Sequence, residues 1–403
     1  MNILIICQKL AEDDDLLGAF VPWVRAIAKR VDSVKVLCLA KGEYHLPENC
    51  EVYSLGKEPG VSRFGRWLNF IRLMFKLMPK CDVAFSHMSP IFSIASWPFV
   101  KLYRKKATLW YAHGHAGWKI KLAEKCVDVI FTSTKEGCRV GSDKIKVVGQ
   151  GIDMNRFRPV EDGNKKQDLR QAQILLKTRN KDTKKFQTSN FKFQMVSIGR
   201  IAPSKDYETM IKAAEVLVKQ GVSDFEIKVF GRANLAEHEK YFDKIKKMVK
   251  SKGLDEQIKF IGAVPNKDVV KYYQEADLYL NMSHTGSLDR AIVEAMACGT
   301  MVLTCNEAAS GVLENIGLGE QLMYPKEDYV GLANKVLEIK KLYDTRMATN
   351  GRQIATNYKS DDQNIEKIRD MGQKLRQEVV GNHSVEALGG KIVKEFDNLV
   401  KIR

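Results

Sequence analysis

Short continuous apolar segments alternate with amphipathic ones along most of the chain, and this alternation restricts the fold more than any other feature. Asn2–Gln8 and Asp82–His87 have the pattern of buried strands, whereas Gly18–Val31 and Arg63–Met78 carry apolar residues at helical spacing. Such strands joined by helices predict a parallel sheet covered by helices on both faces. The remaining segments of this first series are strands at Val34–Ala40, Glu51–Leu55, Ala107–His113, Asp128–Thr134 and Lys144–Gly149, and helices at Ile91–Tyr103 and Lys119–Val127.

The alternation occurs twice, and a basic segment separates the two series. Residues 161–190 contain eight Lys or Arg residues and are predicted to form a linker or a surface insertion. A second α/β series runs from Phe191–Gly199 to Met301–Cys305, and the chain reads as helical from about residue 327. We therefore predict two Rossmann-like α/β domains, at 1–160 and 191–380, followed by a last helix in 381–403. Two such sheets would face a cleft, with ligands bound beyond the carboxyl ends of the strands.

The charge and cysteine content narrow the classes of partner. The net charge of +16 implies an anionic partner, which could be nucleic acid, a phosphate-bearing substrate or an acidic membrane. The basic residues are spread over both series without a recognised nucleic-acid module, so nucleic acid is not the expected partner. Eight cysteines without a CxxC pair favour a reducing cytoplasm over a disulfide framework or a zinc site.

Two basic segments of the first series could contact an anionic membrane. Residues 62–80 interleave aromatic and cationic residues, and residues 101–106 (KLYRKK) add to the same positive charge. A helix of this composition can lie on a bilayer surface, which would make the protein peripheral on the inner membrane face. The alternative is a helix that packs on the core and extends its basic side chains to water.

Glycines with basic residues follow several strands of the second series. Neither GxxxxGK[ST] nor GxGxxG occurs. Instead, Gly199-Arg200 follows one predicted strand and Lys205 lies at the start of the next helix, while Gly231-Arg232 and Gly262 follow two further strands. A guanidinium, an ammonium and helix N-terminal amides brought together in this way could hold a diphosphate. Solvated loop charges are the alternative.

A turn that leads into a helix completes the second series. In HTGSLDRAIVEAMACG, residues 284–288 form the predicted turn and Asp289 begins a helix that contains Glu294. A turn of small residues at a helix N-terminus can hold an anion. Apolar neighbours of Glu294 favour a ligand contact or a buried pair for this carboxylate.

These segments resemble the shared segments of family 4 retaining glycosyltransferases, which belong to the glycosyl transferases group 1 and have the GT-B fold. The resemblance lies in GRIAPSKDYETMIKAAEVL, IVEAMACGTMVLT and VVGQGIDMNRFRPV. It implies that Arg200 and Lys205 contact the donor diphosphate, that Glu294 binds the donor ribose, and that Gly262 to Val264 contact the base. It also implies that the first domain binds the acceptor and that the helix in 381–403 crosses back to that domain.

The chain departs from the family pattern at one position. The family pattern is a glutamate that faces the transferred sugar, then seven residues, then the glutamate at Glu294, and Gly286 stands at the first of these positions. Asp289, one helical turn away, could substitute for it, and we predict Asp289 and Glu294 to be catalytic. The turn residues Gly286, Ser287 and Leu288 are predicted to bind the donor.

Two positions of the first domain follow from the same resemblance. His113, at the end of the predicted strand Ala107–His113, matches a family histidine near the donor sugar and the leaving phosphate, and His115 is the competing choice. Gly18 resembles the family's glycine turn beside the acceptor and the donor phosphate. His113 is therefore predicted to be catalytic and Gly18 to bind the donor.

The resemblance implies transfer of a sugar from a nucleotide-diphosphate donor to an acceptor hydroxyl, on a glycan or a lipid-linked molecule, with retention and without a metal or other cofactor. Two alternatives remain open. One is a nucleotide-sugar epimerase or a sugar phosphorylase on the same fold, and the other is a GT-B protein that binds nucleotide sugar without turnover. The sequence does not identify the donor base, the sugar or the acceptor.

Overall fold

A computed structural model describes residues 1–14, 17–160, 192–349 and 358–401, which form two compact units. The first unit comprises Met1–Met154, Gly286–Leu288 and Val380–Arg403, and the second comprises Asn155–Thr285 and Asp289–Val379. The first boundary thus falls at residue 154 instead of 160. The predicted linker or insertion at 161–190 lies outside the described residues.

In the described part of the first unit, seven parallel strands form one sheet in the order β3-β2-β1-β4-β5-β6-β7. The strands are β1 (Asn2–Leu10), β2 (Ser33–Lys41), β3 (Cys50–Ser54), β4 (Val83–His87), β5 (Lys106–Trp110), β6 (Val129–Thr132) and β7 (Ile145–Val147). The helices between them are α1 (Val21–Ala28), α2 (Arg63–Leu77), α3 (Pro90–Leu102) and α4 (Trp118–Cys126). Strand β1 is buried along most of its length, as expected for a continuous apolar strand in a parallel sheet.

The second unit repeats this design with a five-stranded parallel sheet in the order β10-β9-β8-β11-β12. Its strands are β8 (Phe193–Ile198), β9 (Phe225–Phe230), β10 (Ile258–Gly262), β11 (Leu278–Asn281) and β12 (Met301–Thr304). Its helices are α5 (Tyr207–Lys219), α6 (Ala236–Ser251), α7 (Val269–Glu275), α8 (Arg290–Ala297), α9 (Glu307–Glu314), α10 (Gly319–Leu322), α11 (Tyr329–Thr349) and α12 (Tyr358–Glu378).

Helices cover both faces of the first sheet. The buried side chains of α2, α3 and α4 pack on one face, around Leu4 and Ile6 of β1. The other face packs against α1 and against the last helix of the chain, α13 (Val385–Lys401), whose Phe396 contacts the rings of Phe85 and Phe131. The residues of α13 therefore belong to the core of the first unit, although they follow the second unit in sequence.

The strand order of the second sheet determines where a ligand can reach its carboxyl edge. Connections run to one side of β8 through β9 and β10, and to the other side through β11 and β12. The direction in which successive strands are added to the sheet therefore reverses between β8 and β11. Open α/β sheets bind ligands at such a reversal of strand order. The segments that follow these two strands begin at Gly199 and Met282.

The predicted strands Ala107–His113, Asp128–Thr134 and Lys144–Gly149 are all shorter in the structure, and the first of these bears on the site. Strand β5 ends at Trp110, so His113 lies three residues beyond it instead of at its last position. Gly114 and Gly117 interrupt the strand pattern here, and residues 111–117 form a loop.

None of the helices in the described ranges is long and apolar enough to cross a membrane.

Candidate active site

The ends of three neighbouring strands in the second unit are held side by side by backbone hydrogen bonds. The amide of Gly199 donates to the carbonyl of Phe230 at 3.0 Å, and the amide of Ile201 donates to the carbonyl of Arg232 at 3.1 Å. The amide of Gly231 donates to the carbonyl of Gly262 at 2.9 Å. Gly199 and Gly231 follow β8 and β9, and Gly262 is the last residue of β10, so the three glycines lie together on one edge of the sheet.

Gly231 is required by this close approach. A Cβ atom at residue 231 would lie 1.8 Å from the carbonyl oxygen of Gly199, and the backbone has a φ of +152°. Real Cβ contacts are never this short, so a larger residue would separate the ends of β8 and β9. The glycine that follows β9 thus fixes the position of the Gly199-Arg200 segment.

Lys205 and Asp289, which are 84 residues apart in sequence, form an ion pair beside this edge. Lys205 follows β8 in a short 3-10 turn (Pro203–Lys205), and Asp289 is the residue before α8. The Lys205 Nζ atom lies 2.6 Å from Asp289 Oδ2 and 3.3 Å from Ser283 Oγ. Only 15% and 14% of the Lys205 and Asp289 side chains are exposed, so the pair lies mostly out of water.

Polar side chains after β11 surround the carboxylate of Asp289. Asn281 Nδ2 donates to Asp289 Oδ2 at 2.9 Å, and Thr285 Oγ1 lies 3.4 Å from Asp289 Oδ1. Burial on its own would raise the pKa of Asp289, but the Lys205 ammonium and the hydrogen bonds hold that pKa below its usual value. Asp289 is therefore a carboxylate at neutral pH and positions the Lys205 ammonium.

Arg200 differs from Lys205 in its surroundings. Its side chain is exposed at the end of β8, and within the described ranges no hydrogen bond or ion pair holds its guanidinium. Arg232, which follows β9, is also exposed and has an interaction partner. Arg200 thus presents its donors to solvent beside the buried Lys205–Asp289 pair.

Glu294 lies in the second turn of α8 and is 7% exposed. Its Oε2 atom accepts a hydrogen bond from the Tyr273 hydroxyl at 3.1 Å, and its Oε1 atom accepts one from Arg290 Nε at 2.9 Å. Burial raises the pKa of Tyr273 well above its usual value, and the nearby Glu294 adds to the effect, so the hydroxyl keeps its proton. These two partners fix the orientation of the Glu294 carboxylate.

The turn before α8 contains the remaining donor-binding predictions. Gly286 has a φ of +68°, in the left-handed region that residues with side chains rarely adopt. Gly286 and Ser287 are half-buried and Leu288 is buried. On the far side of the sheet edge, Val264 is half-buried in the segment after β10.

His113 and Gly18 belong to the first unit. His113 is exposed, and its Nδ1 atom accepts a hydrogen bond from the His115 amide at 3.2 Å. Gly18 is buried in a 3-10 turn (Gly18–Phe20) before α1, and its amide donates to the Asp14 carbonyl at 3.0 Å. Both lie near the carboxyl ends of first-unit strands, in a different unit from Lys205.

The structure adds residues that the sequence analysis did not select, namely Arg290, Tyr273, Asn281 and Ser283. Arg290 precedes Glu294 by four residues in one helix, a spacing that predicts a pair and could have been recognised. Asn281 and Ser283 are polar residues at the end of a buried strand, which is also a readable signal. Tyr273 had no such signal.

No metal site made of three or more His, Cys, Asp or Glu side chains is found in the described ranges.

Residues 178–354 match the protein family described as "Glycosyl transferases group 1". This match contains every second-unit residue of the candidate site, from Gly199 to Glu294. The match covers less than half of the chain, and it lies in and around the second unit.

Two curated relatives show how far the similarity extends. The chain is 28% identical to the mannosylfructose-phosphate synthase of Agrobacterium fabrum over an alignment of 208 residues. This alignment covers 49% of this chain and 41% of that protein. It is 25% identical to a D-inositol 3-phosphate glycosyltransferase of Rhodococcus opacus over 179 residues, and this second alignment covers 43% of this chain and 35% of that protein. The chain thus spans less than half the length of these relatives.

Solved structures resemble the whole chain. The Anabaena protein Alr3699/HepE, crystallised with UDP, gives a TM-score of 0.70 at 17% identity and covers 99% of this chain and 100% of its own. The sucrose-phosphate synthase of Thermosynechococcus elongatus gives 0.69 at 14% identity, with 100% of both chains covered. These likenesses establish the fold, which is GT-B with two Rossmann-like α/β units.

Proposed function

We propose that this protein is a group 1 glycosyltransferase, which transfers a sugar from a nucleoside diphosphate sugar to an acceptor hydroxyl with retention of anomeric configuration and without a metal ion. The acceptor class that we propose is a glycan or a lipid-linked molecule. The donor would bind at the carboxyl edge of the second sheet.

The observation that carries the proposal is the pair of cations at the reversal between β8 and β11. The Lys205 ammonium has three protons, of which one points to Asp289 and one to Ser283. The third can bind a phosphate oxygen. The exposed guanidinium of Arg200 can bind a second phosphate oxygen with its paired N–H groups. A diphosphate is the group that fits two such cations.

Glu294 supplies the second part of the donor site. Its carboxylate is fixed by Tyr273 and Arg290, and an oriented carboxylate accepts hydrogen bonds from vicinal hydroxyls. We propose that Glu294 binds the two hydroxyls of the donor ribose. The segment from Gly262 to Val264 would then contact the base.

Arg200 and Lys205 also suit the chemistry of transfer. The bond between the anomeric carbon and the diphosphate oxygen breaks, and negative charge develops on the departing diphosphate. The Lys205 ammonium, held by Asp289 and Ser283, and the Arg200 guanidinium would stabilise that charge more in the transition state than in the ground state. The acceptor oxygen forms the new bond on the same face of the sugar and loses its proton to the leaving phosphate oxygen. No metal is needed for this balance of charge.

The similar structures guide the choice of first ligand. The Anabaena protein was crystallised with UDP and, in a second structure, with UDP and glucose. UDP and UDP-glucose are therefore the first donors to test, before the guanosine and adenosine analogues.

A second candidate function is binding of a nucleotide sugar without turnover. Gly286 replaces the family glutamate that faces the transferred sugar, and its φ of +68° shows that the backbone itself is adapted to glycine. Asp289 does not simply replace that glutamate, because its carboxylate is held by Lys205 and Asn281. A protein with this turn could bind the donor yet lack a group beside the sugar.

A turnover experiment separates the two candidates. The full chain is incubated with UDP-glucose or its guanosine and adenosine analogues, with glycan and lipid-linked acceptors that carry free hydroxyls, and with EDTA or Mg²⁺. Release of the nucleoside diphosphate is followed by chromatography. Transfer predicts release that EDTA does not suppress, and NMR of the product should show the anomeric configuration of the donor. Binding without release would favour the second candidate, and an inverted product would contradict retention.

Variants assign the residues in the same assay. Glu294→Gln should lower turnover sharply, and retained turnover would exclude its assigned role. His113→Ala should lower turnover while leaving binding of the nucleoside diphosphate unchanged, with His115→Ala as the matched control. Equal losses in the two histidine variants would remove His113 from the proposal.

A further inference from the structure

Exposed apolar side chains are concentrated on three helices of the first unit. In the described ranges, fifteen large apolar side chains are exposed, and nine of them lie on α2, α3 and α4. The nine are Phe64, Trp67, Leu68, Phe75, Ile91, Trp97, Leu102, Trp118 and Leu122. Trp118 and Phe64 are the most exposed of these, at 69% and 66%. Scattered exposed apolar residues are normal, but a concentration of this kind marks an interaction surface.

The three helices form one layer with a common outer surface. Their inner sides, represented by Met74, Phe92 and Ile120, belong to one core cluster on a single face of the sheet. Phe99 of α3 contacts the rings of Phe70 and Phe75 of α2 at 6.3 and 5.1 Å. The nine exposed residues therefore lie on the outer side of this layer, which we call the α2–α4 face.

The α2–α4 face is strongly positive. Between residues 59 and 126 the sequence contains twelve Lys or Arg residues and two acidic residues, Asp82 and Glu124. Exposed cations of α2, α3 and α4 are Arg63, Arg72, Lys76, Lys101, Lys119, Lys121 and Lys125. Cations and aromatic side chains on the same helices are typical of segments that lie at the headgroup level of an anionic bilayer.

An open cavity at the end of α3 extends the positive surface. It has a volume of about 690 Å³ and is lined by Lys101, Arg104, Lys105 and Lys106, together with Val100, Tyr103 and Asp128. Four cationic side chains and one carboxylate leave a net positive lining that suits a phosphate-bearing headgroup. The cavity lies where β5 begins, so it is separate from the carboxyl edge of the sheet.

We propose that the α2–α4 face binds the surface of a membrane that contains anionic lipids. The aromatic side chains would enter the headgroup region, and the cations would contact lipid phosphates. A second copy of this chain fits the same face less well, because a symmetric pair would place two positive surfaces against each other. The proposal extends the predicted contact from residues 62–80 and 101–106 to α4 and its Trp118.

Vesicle sedimentation of the full chain tests the proposal. The wild-type protein should sediment with vesicles of phosphatidylcholine and phosphatidylglycerol, and should remain in solution with phosphatidylcholine alone. Binding should weaken as salt is raised, since exposed charges are screened. Fluorescence gives an independent readout, because Trp67, Trp97 and Trp118 lie on the face and their emission should shift to the blue.

Variants distinguish the apolar from the electrostatic contribution. The triple variant Phe64→Ser, Trp67→Ser and Trp118→Ser should lower the partition constant at least about tenfold, whereas Leu235→Ser, an exposed leucine of the second unit, should leave it unchanged. Each of Lys101→Gln and Lys105→Gln should lower it about fivefold.

Two further lysine variants are the matched control. Lys240→Gln and Lys247→Gln, at exposed positions on α6, should have no effect. Binding of nucleoside diphosphate by the second unit and the circular dichroism spectrum show that each variant is folded.

Three outcomes would overturn the proposal. The first is the absence of wild-type binding to anionic vesicles. The second is binding that neither the triple variant nor the lysine variants of the cavity reduce. The third is a dimer in solution that Trp67→Ser dissociates, since this would assign the face to a second copy of the chain.

Discussion

The Lys205–Asp289 ion pair is the interaction whose loss we expect to destabilise the second unit most. The two charged groups lie 2.6 Å apart, and about 15% of each side chain is exposed. Removal of one partner leaves a mostly buried charge without its counterion, which typically costs about 3–5 kcal/mol. Because water still reaches both groups in part, we expect Lys205→Met and Asp289→Asn each to lower the free energy of unfolding by about 3 kcal/mol.

The double variant tests whether the pair itself is responsible. With both charges removed, no unpaired charge remains, so the double variant should cost at least about 2 kcal/mol less than the sum of the single variants. Lys244→Met is a matched control, because Lys244 pairs with Glu208 at 2.9 Å but is 66% exposed. Its loss should cost less than about 1 kcal/mol.

Urea unfolding followed by two signals measures these effects. Circular dichroism follows both units, whereas tryptophan fluorescence follows the first unit, because all five tryptophans of the chain lie there. The single variants should shift the transition seen by circular dichroism to lower urea. Single variants that each cost less than about 1 kcal/mol, or a double variant equal to their sum, would refute the interpretation of the pair as mutually dependent.

Two further predictions concern the backbone of the site and the pH dependence of stability. Gly231→Ala should destabilise the second unit by about 3 kcal/mol and weaken nucleotide binding, because the new Cβ atom would meet the Gly199 carbonyl. Gly221→Ala is the control: residue 221 has a φ of +82° but open space around it, so this variant should cost only about 1 kcal/mol. Equal effects in the two variants would contradict the role of the close contact. Burial lowers the pKa of His383 from 6.5 to about 4. Between these pH values the unfolded chain binds a proton at this residue that the folded chain does not bind. The free energy of unfolding should therefore fall by about 3 kcal/mol as the pH is lowered from 6.5 to 4. His383→Gln should remove this slope in urea titrations followed by tryptophan fluorescence, and an unchanged slope would assign it to other groups.

The elements of the fold were readable because their signals are local. Tyr207–Lys219, Phe225–Phe230 and Arg290–Ala297 have the predicted bounds, since continuous apolar runs and helical spacing depend on nearby residues alone. Strand β5 was predicted to end three residues too late, because WYAH continues the apolar pattern and the first glycine follows only at Gly114.

The contacts of the candidate site depend on tertiary structure, so the sequence indicated fewer of them than of the helices and strands. Gly199, Gly231 and Gly262 were expected on one edge, since parallel strands end on the same side of a sheet, and the backbone bonds between them hold that edge together. The pairing of Lys205 with Asp289 could not be predicted, because the two residues were assigned to different parts of the donor. Only the order β8-β11 of neighbouring strands brings them together.

The central claim is that Arg200 and Lys205 hold the diphosphate of a nucleotide sugar, and calorimetric titration tests it most directly. UDP, GDP and ADP are titrated into the wild-type chain, Arg200→Gln and the exposed-lysine control Lys212→Gln, with EDTA and with Mg²⁺. We predict that one nucleotide binds in EDTA, that Arg200→Gln weakens it about 10- to 100-fold, and that Lys212→Gln leaves it unchanged. Failure of all three nucleotides to bind, or equal affinity in Arg200→Gln and the wild type, would contradict the assignment of this edge as the donor site.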